Sequence, residues 1–115
     1  MIHEMKLRPE YFDFINNGTK RIELRLYDEK RALIKLSDTI KFLKEPEKTE
    51  KLEVKVVGLL RYNSFDDLFK DFPIEKLADK SMTKEELKNT LETFYTLEEQ
   101  KKYGVLGIRI EKWQK

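Results

Sequence analysis

One octapeptide, Gly18-Thr19-Lys20-Arg21-Ile22-Glu23-Leu24-Arg25, constrains this chain more than any other stretch. A glycine turn opens into an alternation of apolar and charged residues, and in a strand alternate side chains share a face. Ile22, Leu24 and Leu26 therefore share a face that requires a core. Arg21, Glu23 and Arg25 share the opposite face, with Lys20 at the strand entrance beside the Gly18 turn. A charged face this dense, backed by a core and placed at a turn, marks a candidate site. The competing reading is a solvated face of mutually neutralising charges, which is the default for surface residues.

The flanking sequence fills in an α+β order. Ile2 to Leu7 alternates as a first short strand, and Pro9 suits the first turn of a helix that carries Tyr11, Phe12, Phe14 and Ile15. Asn16-Asn17-Gly18 ends that helix, with Gly18 able to take a left-handed cap. Tyr27 to Arg31 reads as a polar connection with a helical turn, and Lys35 to Asp38 as a turn into the strand Thr39–Leu43. Lys44 to Lys51 forms a hairpin tip, and the long strand that follows changes phase around Gly58, the sign of a bulge or bend. Ser64 with Asp67, Thr83 with Glu86 and Thr96 with Glu99 have the spacing of helix-opening caps. Val105 to Trp113 closes the chain as a strand with Leu106, Ile108 and Ile110 on one face. An early helix between strands, and a helical insertion before the last strand, fit a small, partly open β-barrel with helices over its openings.

The 115 residues fit one domain spanning 1–115, with no linker composition. The absence of cysteine excludes disulfides and thiolate chemistry. His3 is the single histidine, which excludes a histidine-rich metal site, and it reads as a strand residue near the barrel rim. No apolar run approaches the roughly 20 residues that span a bilayer, and Met1 to Lys6 has no signal-peptide core, so a cytoplasmic protein is expected. Lys+Arg number 24 against 22 Asp+Glu, a balance unlike that of a bulk electrostatic DNA binder. No Walker motif, Rossmann glycine pattern or metal-ligand spacing occurs, so neither cofactor nor metal is expected.

If the charged strand face lines a cleft, Lys20 and Arg25 can hold phosphate or a carbonyl oxygen. Glu23 can act as a base or accept a hydrogen bond from an amino group. Tyr27, Tyr62, Tyr95 and Tyr103 offer surfaces on which a base could stack, with Tyr103 chosen as the ligand ring. Half-buried core or rim aromatics are the alternative. Thr83 and Thr96 read as caps and not as nucleophiles.

The chain resembles the ASCH domain family of the PUA-like superfamily. The resemblance rests on Leu7-Arg8-Pro9-Glu10-Tyr11-Phe12, on Gly18 to Arg25, on Lys35 to Phe42, and on Lys102-Tyr103-Gly104-Val105-Leu106-Gly107-Ile108. It runs through nearly the whole chain, with Ser37 where the family usually has glycine. It implies a PUA-like β-barrel whose cleft, lined by the Gly18–Arg25 strand, binds RNA, a nucleotide or a modified nucleoside. One bacterial branch of the family hydrolyses N4-acetylcytidine with a lysine, a threonine and a later glutamate. Lys20 matches that lysine, Glu23 stands at the threonine, and the glutamate falls near Lys80 and is unmatched. Three expectations follow: a binding module using Lys20, Glu23, Arg25 and Tyr103; a hydrolase acting on a modified nucleoside or on RNA, using Lys20 with Glu23 as the base; or a protein-interaction module without nucleic acid.

Overall fold

Five strands form one curled sheet in the order β1-β3-β4-β5-β2. The structure, a computed structural model, describes residues 1–113. The strands are β1 (Ile2–Leu7), β2 (Ile22–Leu26), β3 (Thr39–Lys44), β4 (Lys51–Tyr62) and β5 (Val105–Lys112). β1 runs parallel to β3, and the other neighbours are antiparallel. Helix α1 (Pro9–Asn16) lies between β1 and β2, and a 3-10 turn covers Arg31–Leu33. Helices α2 (Phe65–Asp71), α3 (Ile74–Leu77), α4 (Lys84–Phe94) and α5 (Leu97–Tyr103) fill the insertion before β5.

The inside of the curl is packed with Phe42, Ile40, Val54, Val56 and Ile108, and Phe12 and Ile15 of α1 plug it. The outer face of β2 and β5 forms a second core, where Ile22, Leu24 and Val105 meet Phe65, Leu68, Leu77 and Leu87. β5 is therefore buried on both faces at its start. Gly107, on the face opposite Leu106 and Ile108, lies under the helices, and a Cβ there would come within 2.9 Å of Leu68 Cδ1. Each apolar side chain sealed in these cores contributes about 1.5–3 kcal/mol.

Local signals placed most elements. Gly18 takes φ 87 after α1, and Ser64, Thr83 and Thr96 each accept a hydrogen bond from the backbone N–H three residues on. The bulge lies between Val56 and Gly58, where the Arg109 side chain packs over the glycine. Helix α3 has no counterpart in the sequence reading, because four residues after Pro73 are too few to display a period.

The sheet leaves β1 and β2 as its two edges. They are tied by one side chain, for Arg25 Nη2 donates to the Lys6 carbonyl at 3.0 Å. This seam holds the site.

Candidate functional site

Three charges of the octapeptide converge at the seam. Glu23 side-chain exposure is only 6%, yet its Oε2 accepts from Arg25 Nε at 2.8 Å and lies 2.7 Å from Arg25 Nη2. Its Oε1 faces Lys20 Nζ at 3.5 Å. Lys20 Nζ also donates to the carbonyls of Ile22 and Leu77, both at 2.6 Å. An ammonium has three donors, and Lys20 commits two of them to these carbonyls with Glu23 as its ion-pair partner. The Leu77 carbonyl comes from α3, so this lysine ties the helical insertion to the entrance of β2.

Burial and pairing oppose each other here. Burial lowers the Lys20 pKa from its ordinary value, and the nearby Glu23 only partly restores it. Burial alone would raise Glu23, but Arg25 and then Lys20 outweigh it and hold the carboxyl below the usual range. Burial likewise works against the Arg25 charge, and Glu23 overcomes it, so the guanidinium pKa is raised.

A cavity of about 260 Å³ opens above this cluster, just below the range of roughly 300–1,000 Å³ usual for small-ligand sites. Its wall joins the end of β1 and the start of α1 (Lys6, Leu7, Arg8, Tyr11) to β2 and to the last turns of α4 (Leu87, Thr90, Leu91, Phe94, Tyr95). Lys20, Glu23, Leu24, Arg25 and Glu45 complete it, so four cations face two carboxylates. Tyr11, Phe94 and Tyr95 supply aromatic surface. The Arg8 guanidinium lies 6.0 Å from the Phe94 ring centroid, and Phe94 is 54% exposed.

Lys20, Glu23 and Arg25 are thus brought together. Tyr103 is not brought to them: it ends α5 outside the cavity wall, with Lys102 Nζ 5.1 Å from its ring centroid. Of the four tyrosines singled out for stacking, Tyr95 alone lines the cavity. Tyr11 and Phe94 were missed. An exposed Phe94 beside Tyr95 at a helix end was the available signal, since both cannot face one core. Lys80 is exposed in the loop before α4 and takes no part in the wall. His3 lies at the rim as expected, its Nε2 2.8 Å from Asp38 Oδ2. Among the described residues no cluster of three or more His, Cys, Asp or Glu could hold a metal ion. No helix among them is long and apolar enough to cross a membrane.

A family model for the ASCH domain matches residues 5–114. The chain belongs to the ASCH domain family. Its fold agrees with solved structures. One is a crystal structure of hypothetical protein PH0355, 42% identical, with TM-score 0.85, covering 98% of this chain and all of that one. Another is the solution structure of protein PF0455 from Pyrococcus furiosus, 37% identical, with TM-score 0.79 and full coverage of both chains. A mutant of the ASCH protein from Zymomonas mobilis shares the fold at 14% identity and TM-score 0.70, over 98% of this chain and 69% of that one. No curated protein matches significantly. The five-stranded half-barrel with its helices agrees with the PUA-like architecture expected for the family.

Proposed function

We propose that this ASCH domain binds a nucleotide or modified nucleoside, within RNA or free, in the seam cavity, with Arg25 as the donor that meets it. The observation that carries this reading is the division of labour among the three charges. Lys20 gives two donors to backbone carbonyls and forms an ion pair with Glu23, and Glu23 accepts from Arg25. Among the described residues, Arg25 Nη1 is the guanidinium nitrogen with no carboxylate or carbonyl partner, and the Tyr95 hydroxyl is the side-chain group that meets the guanidinium from the cavity side. Lys20 and Glu23 therefore position Arg25, and a ligand oxygen is its natural complement. The aromatic wall of Tyr11, Phe94 and Tyr95 suits a planar base, and Lys6 and Arg8 at the rim suit a phosphate.

Calorimetric titration with the four nucleoside 5′-monophosphates and with N4-acetylcytidine tests this. Wild type is expected to bind at least one of them, and Arg25→Met to weaken it about tenfold or more, as for a lost charged hydrogen bond. Equal binding by the two proteins, or none by wild type, overturns the reading. The alternative, hydrolysis of a modified nucleoside, needs Glu23 free to take a proton from water. A carboxyl held below its ordinary range by two cations is a poor base. No deacetylation of N4-acetylcytidine above a Glu23→Gln control is expected, and turnover that depends on Glu23 would restore the hydrolase.

A further inference from the structure

A second cation and aromatic pair stands on the strands that carry the site. The Arg61 guanidinium carbon lies 3.8 Å from the Tyr27 ring centroid, a stacking distance. Tyr27 follows Arg25 by two residues and so continues the face of Glu23 and Arg25. The sheet register confirms the placement. Arg25 pairs with Leu106, and Leu106 pairs with Arg61 on its other side, so Arg25 and Arg61 occupy one row on one face. Two interstrand steps separate them by about 10 Å at the backbone, and Tyr27 lies about 7 Å along from Arg25.

Arg61 is exposed and forms no ion pair with the described residues, and its guanidinium stacks on the tyrosine ring. The same corner carries Lys102 over Tyr103, because the Tyr27 N–H donates to the Gly104 carbonyl at 3.0 Å. A guanidinium stacked on a ring in a basic, aromatic corner is a surface on which a base can stack. Steps of about 7 to 10 Å exceed the roughly 3.4 Å rise of stacked nucleotides. They suit a strand whose neighbouring bases are splayed apart.

We propose that the Tyr27–Arg61 pair is the stacking platform for the nucleotide adjacent to the one held in the seam cavity. The ligand is then a single-stranded RNA oligonucleotide and not a free nucleoside. This rests on the cavity's binding a nucleotide, and the experiment separates the two claims. Fluorescence anisotropy competition compares the four ribonucleotide homotrimers with the corresponding 5′-monophosphates. The proteins are wild type, Arg61→Ala, Arg61→Lys and Arg25→Met, each checked for folding by its melting curve.

Wild type is expected to bind a trimer more tightly than its monophosphate. Arg61→Ala is expected to lose about tenfold on the trimer, the order of one stacked base, and nothing on the monophosphate. Arg61→Lys keeps the charge without the plane and should lose nearly as much. Arg25→Met should lose both ligands. Trimer affinity unchanged in Arg61→Ala, or fully kept in Arg61→Lys, overturns the platform while leaving the cavity reading intact. Binding of neither ligand by wild type removes the cavity reading and the platform with it.

Discussion

Arg25 sets two nitrogens on one oxygen of Glu23, Nε at 2.8 Å and Nη2 at 2.7 Å, while Lys20 faces the other oxygen at 3.5 Å. One carboxylate therefore compensates two buried cations. Removing it leaves both uncompensated, and breaking a buried pair from one side costs about 3–5 kcal/mol. Glu23→Ala is expected to lose stability of that order in urea unfolding at neutral pH. Glu23→Gln keeps the shape without the charge and should lose less. A loss below about 1 kcal/mol in Glu23→Ala would mean that the cluster holds ligand but not fold.

The strand bearing this cluster was legible because alternation and a glycine turn are local signals. So were the caps, whose partners lie three residues away. The commitment of Lys20 was not legible, because one of its acceptors, the Leu77 carbonyl, lies 57 residues away on a helix too short to show a period. The aromatic wall was half legible for a similar reason. Tyr103 adjoins a recognisable closing segment in sequence, but the turn of α5 carries it away from the seam. Phe94 has no such neighbour, and only the packing of α4 over β2 brings it to the cavity.

Acid should reveal the rim pair. The His3 hydrogen bond, with the Lys35 backbone N–H, lowers the Asp38 pKa from 3.8 to about 2. A folded pKa below the unfolded one means stability that is fully present above about pH 4 and lost as pH falls through about 2. Asp38→Asn lacks that contribution throughout. Urea midpoints of the two proteins should differ at about pH 5 and converge toward about pH 2, with Glu23 common to both and so cancelling. A gap that stays constant with pH would show that the charge of Asp38 is not what stabilises.

Two residues with positive φ should respond in opposite directions. Gly104, φ 75 and ψ 177, occupies a region essentially reserved for glycine, and a Cβ there would lie 3.2 Å from the Tyr62 carbonyl oxygen. Gly104→Ala is expected to cost about 1–3 kcal/mol. Ser37 has φ 73 where the family usually carries glycine. Ser37→Gly relieves a left-handed cost of roughly 1–2 kcal/mol against a glycine entropy of about 0.5–1 kcal/mol, so a small gain in melting temperature is expected. A drop in melting temperature for Ser37→Gly would contradict this balance.

Helix α4 allows stability and binding to be separated on one element. Thr83 Oγ1 accepts the Glu86 N–H at 3.0 Å, and Glu86 Oε1 accepts the Thr83 N–H at 3.0 Å. Loss of such a cap costs about 0.5–2 kcal/mol by fraying the first turn. The cavity residues of α4 begin at Leu87 and are anchored by the buried Leu87 and Leu91, so the wall should survive that fraying. Phe94 is the reverse case, exposed at the far end and facing the cavity mouth. Thr83→Ala is therefore expected to lose about 1 kcal/mol in urea with ligand affinity unchanged. Phe94→Ala should stay within about 0.5 kcal/mol of wild type and lose about tenfold in affinity for the bound nucleotide. Unchanged affinity in Phe94→Ala would remove the aromatic wall from the binding site, whatever Thr83→Ala does to the fold.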